Sequence, residues 1–436
     1  MLSPEEKLVL NSMKLQPTEE DQSRTRALLS EITNWQLLVK LLADRGLAPL
    51  FLNKTLNKEQ LKELPDSARW VLQQVVFKTL SRNMVLYNSF SNLLKELQPD
   101  NVEVMALKGI CLAENLYGDI QLRQMSDIDI LVLPEHAEYV LKALNKLGFQ
   151  AVNTGALSNF VSSKSDFVHY APMVFNGISV EVHIRLHQIN DSVQINIDRL
   201  WKKSEKVILN GVEARKMDFY HQLIHLCVHL HKHFTKGHVQ FTSFADIANL
   251  LLSYQDIDAT KLESMCTEYN CSQEVYPYLM LVHEFCHVPL PVDILNKHKA
   301  CLEDNDRDLF IKYLNGYEFE EDKNKSAVPD HISNLKRINT LSDLVRYVSD
   351  LLFPSKSFMI EKYGIGRSEK YVAGSQKSKV STEEGSNYKL QATNYKLLFW
   401  WLWYPYRWAV GVKGLLQTFK RNKTFKRNKT FKHRRP

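Results

Sequence analysis

The chain has no C-x-x-C pair, and its six cysteines (Cys111, Cys227, Cys266, Cys271, Cys286, Cys301) follow no regular spacing. That excludes a disulfide framework, and their apolar surroundings suit reduced thiols in a cytoplasm. The opening MLSPEEKLVLNSMK lacks the basic start and continuous apolar core of a signal peptide. No stretch before Leu397 is long and apolar enough to span a bilayer. Acidic residues are missing from Ser386 onward, where thirteen Lys or Arg stand, which leaves 43 basic against 49 acidic residues before that point. The formal net charge of +7 is therefore a property of the tail, and the body gives no hint of a nucleic-acid groove. What is present is a chain of 436 residues, 44% hydrophobic and 24% charged. That is enough for about two or three sizeable cores, folded and soluble over most of its length.

Apolar residues recur at helical spacing through most of the first 99 positions, as in Trp35, Leu38, Leu41 and Leu42. An apolar run, Val102–Leu107, then ends in Lys108-Gly109 and gives way to a helix-like segment. Beyond it comes Asp127-Ile128-Asp129, followed by Ile130-Leu131-Val132. Alternate side chains of a strand share a face, so Asp127 and Asp129 point one way and Ile128, Ile130 and Val132 the other. Two adjacent carboxylates repel unless a cation lies between them, and at a strand mouth a divalent metal is the usual one. Further on, Asn176-Gly177 between two β-like runs predicts a hairpin. On its second strand Ser179, Glu181, His183 and Arg185 share the polar face, which adds a third carboxylate. Residues from about Arg199 to Leu314 read as helical.

Phosphoryl transfer from a nucleoside triphosphate needs charge neutralisation and alignment more than covalent help, and metal ions held by carboxylates supply both. A Gly at a helix N-terminus lets backbone N–H groups approach phosphates, and a neighbouring Lys or Arg adds a positive clamp. Lys108, Gly109 and Arg123 are the parts available here.

The order LKG…LY…R…SDIDILV followed by VEVHIRLH resembles the nucleotidyltransferase superfamily that shares the DNA polymerase beta palm, specifically its bacterial branch of uncharacterised nucleotidyltransferases. NWQLLVKLLADRGLAPLF resembles that branch's helical entry segment. IHLCVHLHKH with FADIANLL resembles its helical segment after the palm, and LLFPSKSFMIEKYG its C-terminal signature. Where many superfamily members carry Gly-Ser before the helix, this chain has Lys108-Gly109. The resemblance implies an α+β fold, a small palm with a mixed β-sheet and flanking helices set between N-terminal and C-terminal helical regions. It implies Asp127, Asp129 and Glu181 as catalytic ligands of two Mg²⁺ ions, and Lys108, Gly109, Arg123 and Ser126 as contacts of the triphosphate. His183 and Arg185 would lie towards the acceptor, an unidentified molecule offering a hydroxyl or phosphate. A nucleotide-binding regulatory module without turnover is the alternative.

Two histidine patterns invite a metal reading. His221, His225, His229 and His233 recur every four residues and so form one helical stripe, open to packing, phosphate contact or metal binding. His283-Glu284-Phe285-Cys286-His287 matches the H-E-x-x-H pattern of zinc hydrolases but brings no evident third ligand.

The implied organisation is a helical region over 1–99, a palm over 100–190, a helical region over 191–373 and a linker over 374–396. An aromatic-rich helix over 397–416 and a basic repeat tail over 417–436 complete it. Leu397–Leu416 holds seven aromatics, four of them Trp, and precedes the repeat TFKRNK, TFKRNK, TFKHRR. One Phe per six residues buries no core, so the tail reads as disordered. The aromatic segment either packs on the body or lies on an anionic membrane with the basic tail beside it. Sequence-specific nucleic-acid binding is not expected, and the expected location is cytoplasmic, with membrane association through the tail as the variant.

Overall fold

The computed structural model describes residues 2–152, 168–187, 193–237, 239–254 and 256–316. The LLFPSKSFMIEKYG signature, the linker, the aromatic segment and the basic repeat lie outside the described residues.

The chain begins with helices whose starts are written in the sequence. Ser3 caps Pro4–Asn11 in a capping box with Glu6, and Thr18 caps Glu19–Glu31 in another with Asp21. Asn34 caps Trp35–Asp44. Between the first two helices Lys14 is buried against Asp21, Nζ to Oδ1 at 2.8 Å, a charge kept in the interior only because it is paired. A 32-residue helix, Asp66–Leu97, follows. It spans about 48 Å at 1.5 Å per residue.

A seven-stranded mixed sheet forms the centre, built from β1 (Met105–Ala106), β2 (Ile128–Leu131), β3 (Gln150–Ala151), β4 (Met173–Phe175), β5 (Ile178–His183), β6 (Glu205–Leu209) and β7 (Val212–Lys216). Its order is β3-β4-β5-β2-β1-β7-β6. The β4–β5 hairpin turns at Asn176 and Gly177, with φ of 47° and 75°, the two left-handed positions that a tight hairpin demands.

The sheet extends past residue 190. Within the stretch read above as helical, β6 and β7 form a second hairpin that turns at Asn210-Gly211, and β7 runs parallel to β1 with Met105 opposite Arg215. The signal is the one present at Asn176-Gly177, a left-handed Asn-Gly pair between β-like runs.

The two faces of the sheet carry different cores. Ile128, Ile130, Val132, Val180 and Val182 pack with Leu86, Phe90 and Leu94 of the long helix and with Val140 and Leu144 of the helix Ala137–Lys146. Met105, Leu107 and Leu131, on the opposite face, join the core of the N-terminal helices and of the helices that follow the sheet. Chief among the latter are Phe219–Lys236 and Phe241–Leu252. Asp218 caps the first of these, and Gly237, at φ 83°, ends it. The carboxylate face of the sheet thus looks towards helical protein rather than open solvent.

Candidate active site

Strand pairing brings the acids together. Strands β2 and β5 are parallel neighbours, and their register sets Asp129 directly beside Glu181 and Leu131 beside His183. Alternation then puts Asp129, Glu181 and His183 on one face. His183 Nε2 lies 3.0 Å from Asp129 Oδ1 and 3.6 Å from Glu181 Oε2. The ligand atoms of the three residues lie within 4.8 Å of one another, and they are the one such cluster found among the described residues. Asp127, one residue before β2, accepts a hydrogen bond from Ser126 Oγ at 3.0 Å.

Lys108 and His183 already sit against Asp129. Lys108 Nζ is 3.1 Å from Asp129 Oδ1, the same oxygen that His183 reaches. Burial works against ionisation of Asp129, but Lys108 and His183 outweigh it and hold the carboxyl well below the usual range. Asp127 shows the opposite balance, for burial and the charge of Asp129 raise it. The His183 hydrogen bond lowers Glu181, and the two carboxylates raise His183 against the effect of its burial. The pocket is thus a set of mutually dependent charges in which Asp127 is the acid short of a cation. Lys108 itself has φ 45°, a left-handed conformation that residues with a Cβ rarely adopt.

The long helix holds these parts in place. Tyr87 Oη donates to the Ile110 carbonyl at 2.8 Å, fixing the helix Lys108–Asn115, and Asn83 Nδ2 donates to the Arg123 carbonyl at 2.7 Å. Arg82 donates to the carbonyls of Ser126 and Gly177, which ties the loop before β2 to the β4–β5 turn.

A cavity of about 1030 Å³ opens over the acids. That is the upper end of the size range for small-molecule sites. Its lining includes Lys108, Ser126, Asp127, Asp129, Glu181 and His183 on the sheet side, with His225, His229 and His233 on the helical side. Three of the four striped histidines therefore line the same cavity as the acids. The fourth, His221, is turned to Asp218 and to Tyr269 Oη.

Residues 31–287 match the family described as uncharacterised nucleotidyltransferase. The chain belongs to this nucleotidyltransferase family. Membership supports a role in nucleotidyl transfer and a nucleotide substrate. No curated protein sequence matches the nucleotidyltransferase. Two solved structures are similar to it. The antibiotic-resistance factor ANT(2'')-Ia is 10% identical, over 47% of this chain and 99% of its own, with a TM-score of 0.32. An antigenic nucleotidyltransferase-like protein from Paracoccidioides brasiliensis is 13% identical, over 49% and 97%, with a TM-score of 0.27. Likenesses this distant say nothing of the substrate.

Not every residue assigned from the sequence of this nucleotidyltransferase has the expected surroundings. Arg123, assigned above to the triphosphate, is buried and spends its guanidinium on Asp246. Its Nε lies 2.9 Å from Oδ1 and its Nη2 2.6 Å from Oδ2. Burial alone would ease the proton off Arg123, but Asp246 overrides it and raises the pKa. Tyr117 Oη donates to the same carboxylate at 2.9 Å. Gly109 serves this packing too, because a Cβ there would stand 2.5 Å from Arg123 Nη1 and 2.9 Å from Met125 Cγ. The missing side chain makes room for the arginine, and Gly109 and Arg123 both line the cavity. The signal for Asp246 in the sequence is a lone acid inside the apolar FADIANLL.

The H-E-x-x-H pattern does not form a zinc site. His283 Nδ1 is bonded to the Val288 carbonyl at 2.8 Å, and Glu284 receives Arg307 Nε at 2.9 Å. His287 is the left-handed C-cap of Ser272–Cys286, at φ 52°, off the helical face that the pattern requires.

Proposed function

We propose that the protein transfers a nucleoside monophosphate from a nucleoside triphosphate to an acceptor hydroxyl or phosphate, with Mg²⁺, releasing pyrophosphate. The observation that carries the reading is the register of Asp129 beside Glu181, with Asp127 and His183 adjoining, at a cavity large enough for a nucleotide.

The donor set fits a divalent cation. Oxygens of Asp129 and Glu181 and a nitrogen of His183 converge, and the raised Asp127 carboxyl is short of positive charge. Asp127, Asp129 and Glu181 would hold two ions, which when bound would neutralise the phosphates and activate the attacking oxygen. Lys108 holds the charge of Asp129 and stands at the head of the helix Lys108–Asn115, where backbone N–H groups favour anions. Ser126 orients Asp127 through its hydroxyl. Arg123 acts indirectly, fixing the loop before β2 to the helical region through Asp246.

The test is incubation of the protein with Mg²⁺ and each of the four ribonucleoside triphosphates, with cell extract as the acceptor pool, following pyrophosphate and labelled adducts. Release is expected for the native chain and should fall at least about 100-fold in Asp127→Asn and Asp129→Asn, as when transition-state charge stabilisation is removed. Nucleotide binding without turnover across the panel would point instead to a regulatory module.

A further inference from the structure

His225 is a buried imidazole without a partner. It is 5% exposed on the helix Phe219–Lys236, and neither ring nitrogen has a hydrogen-bond partner. Other members of its stripe do have partners: His221 has Asp218 and Tyr269, and His229 has His233, Nε2 to Nε2 at 3.2 Å. The flanking Ile224 and Leu226 are core residues, so a polar ring at 225 gives the fold nothing that a phenyl ring would not. What His225 does line is the cavity shared with Lys108, Asp129, Glu181 and His183. Burial, backed by the nearby charge of Lys108, keeps the ring neutral.

A neutral imidazole carries one donor and one acceptor. Phosphate oxygens only accept and would leave one ring nitrogen unpaired, whereas a hydroxyl both donates and accepts. We infer that His225 is a substrate-contacting residue that binds a hydroxyl group in this cavity, either on the ribose of the triphosphate or on the acceptor. The inference rests on the nucleotidyl-transfer reading of the site.

The test compares the full native chain with His225→Phe, which keeps a ring, and His225→Gln, which restores a donor and an acceptor. Titration calorimetry in Mg²⁺ without acceptor uses ATP, CTP, GTP and UTP, and the 2′- and 3′-deoxy forms of whichever binds. If the ribose is the partner, His225→Phe weakens the ribonucleotide about tenfold, while one deoxy form binds native and variant chains alike. If the acceptor is the partner, triphosphate affinity holds and pyrophosphate release with cell extract falls about tenfold or more. In both cases His225→Gln recovers part of the loss, and His225→Phe melts no lower than the native chain. Unchanged affinity and turnover in His225→Phe overturn the inference and leave nucleotidyl transfer standing. Failure of the native chain to bind any triphosphate overturns both. Should His225→Phe not fold, ring ¹⁵N resonances of His225 in the native chain decide: shifts on adding triphosphate or extract support the contact, and no shift with either overturns it.

Discussion

Replacing Asp246 by Leu should strip the support from the loop that leads into the acids. The carboxylate is fully buried and takes three hydrogen bonds within 3 Å, from Arg123 Nε at 2.9 Å, Arg123 Nη2 at 2.6 Å and Tyr117 Oη at 2.9 Å. Without it the buried Arg123 guanidinium loses its carboxylate partner. Removing one member of a buried pair costs about 3–5 kcal/mol, and the Tyr117 hydroxyl adds about 1 kcal/mol. Replacing both members with Arg123→Met and Asp246→Leu removes the stranded charge, so the double variant should lose only about 1–3 kcal/mol, from the orphaned hydroxyl and residual repacking. Urea denaturation of the native chain, both single variants and the double variant completes the cycle. A loss under about 1 kcal/mol in Asp246→Leu, or a double variant as unstable as the sum of the singles, would refute the reasoning.

Three further outcomes are expected. Gly109→Ala should destabilise the chain by about 1–3 kcal/mol despite the better helix propensity of Ala, because the new Cβ meets Arg123 Nη1 at 2.5 Å; a Tm equal to or above the native value would count against the packing. Asp21, which Lys14 and Thr18 hold below its ordinary pKa against the effect of burial, stabilises the fold above the unfolded carboxyl value and less as pH falls through its folded one. Melting followed from pH 7 to pH 2 should therefore show a loss that begins below about pH 4 and is smaller in Asp21→Asn, a variant already weakened at neutral pH by its unpaired Lys14. Mg²⁺ or Mn²⁺ at a hundredfold excess over its dissociation constant should stabilise the native chain by about 2.7 kcal/mol, and Asp129→Asn by far less; equal shifts by differential scanning fluorimetry would remove the acids from the metal site.

Local chemistry determined much of what the sequence makes legible. The period-2 pattern of VEVH places Glu181 and His183 on one face, and that of DIDIL does the same for Asp127 and Asp129. The Asn176-Gly177 pair states its turn, and Ser3, Thr18, Asn34 and Asp218 state where helices begin. Each of these signals spans only a few residues, the range over which backbone sterics and side-chain caps act. The hairpin at Asn210-Gly211 carries the same local signal, set just before a long run of helical periodicity.

Tertiary structure alone decided which distant residues meet. No local pattern sets Asp129 beside Glu181, since that takes the parallel pairing of strands some fifty residues apart, made favourable by burial of both faces of the sheet. The same long-range packing paired Arg123 with Asp246 at the cavity wall, drew Lys108 onto Asp129, and left the ring nitrogens of His225, in the lining of the same cavity, without a hydrogen-bond partner. Residue type and spacing name the charges; only the folded chain shows which of them are already neutralised and which still await a ligand.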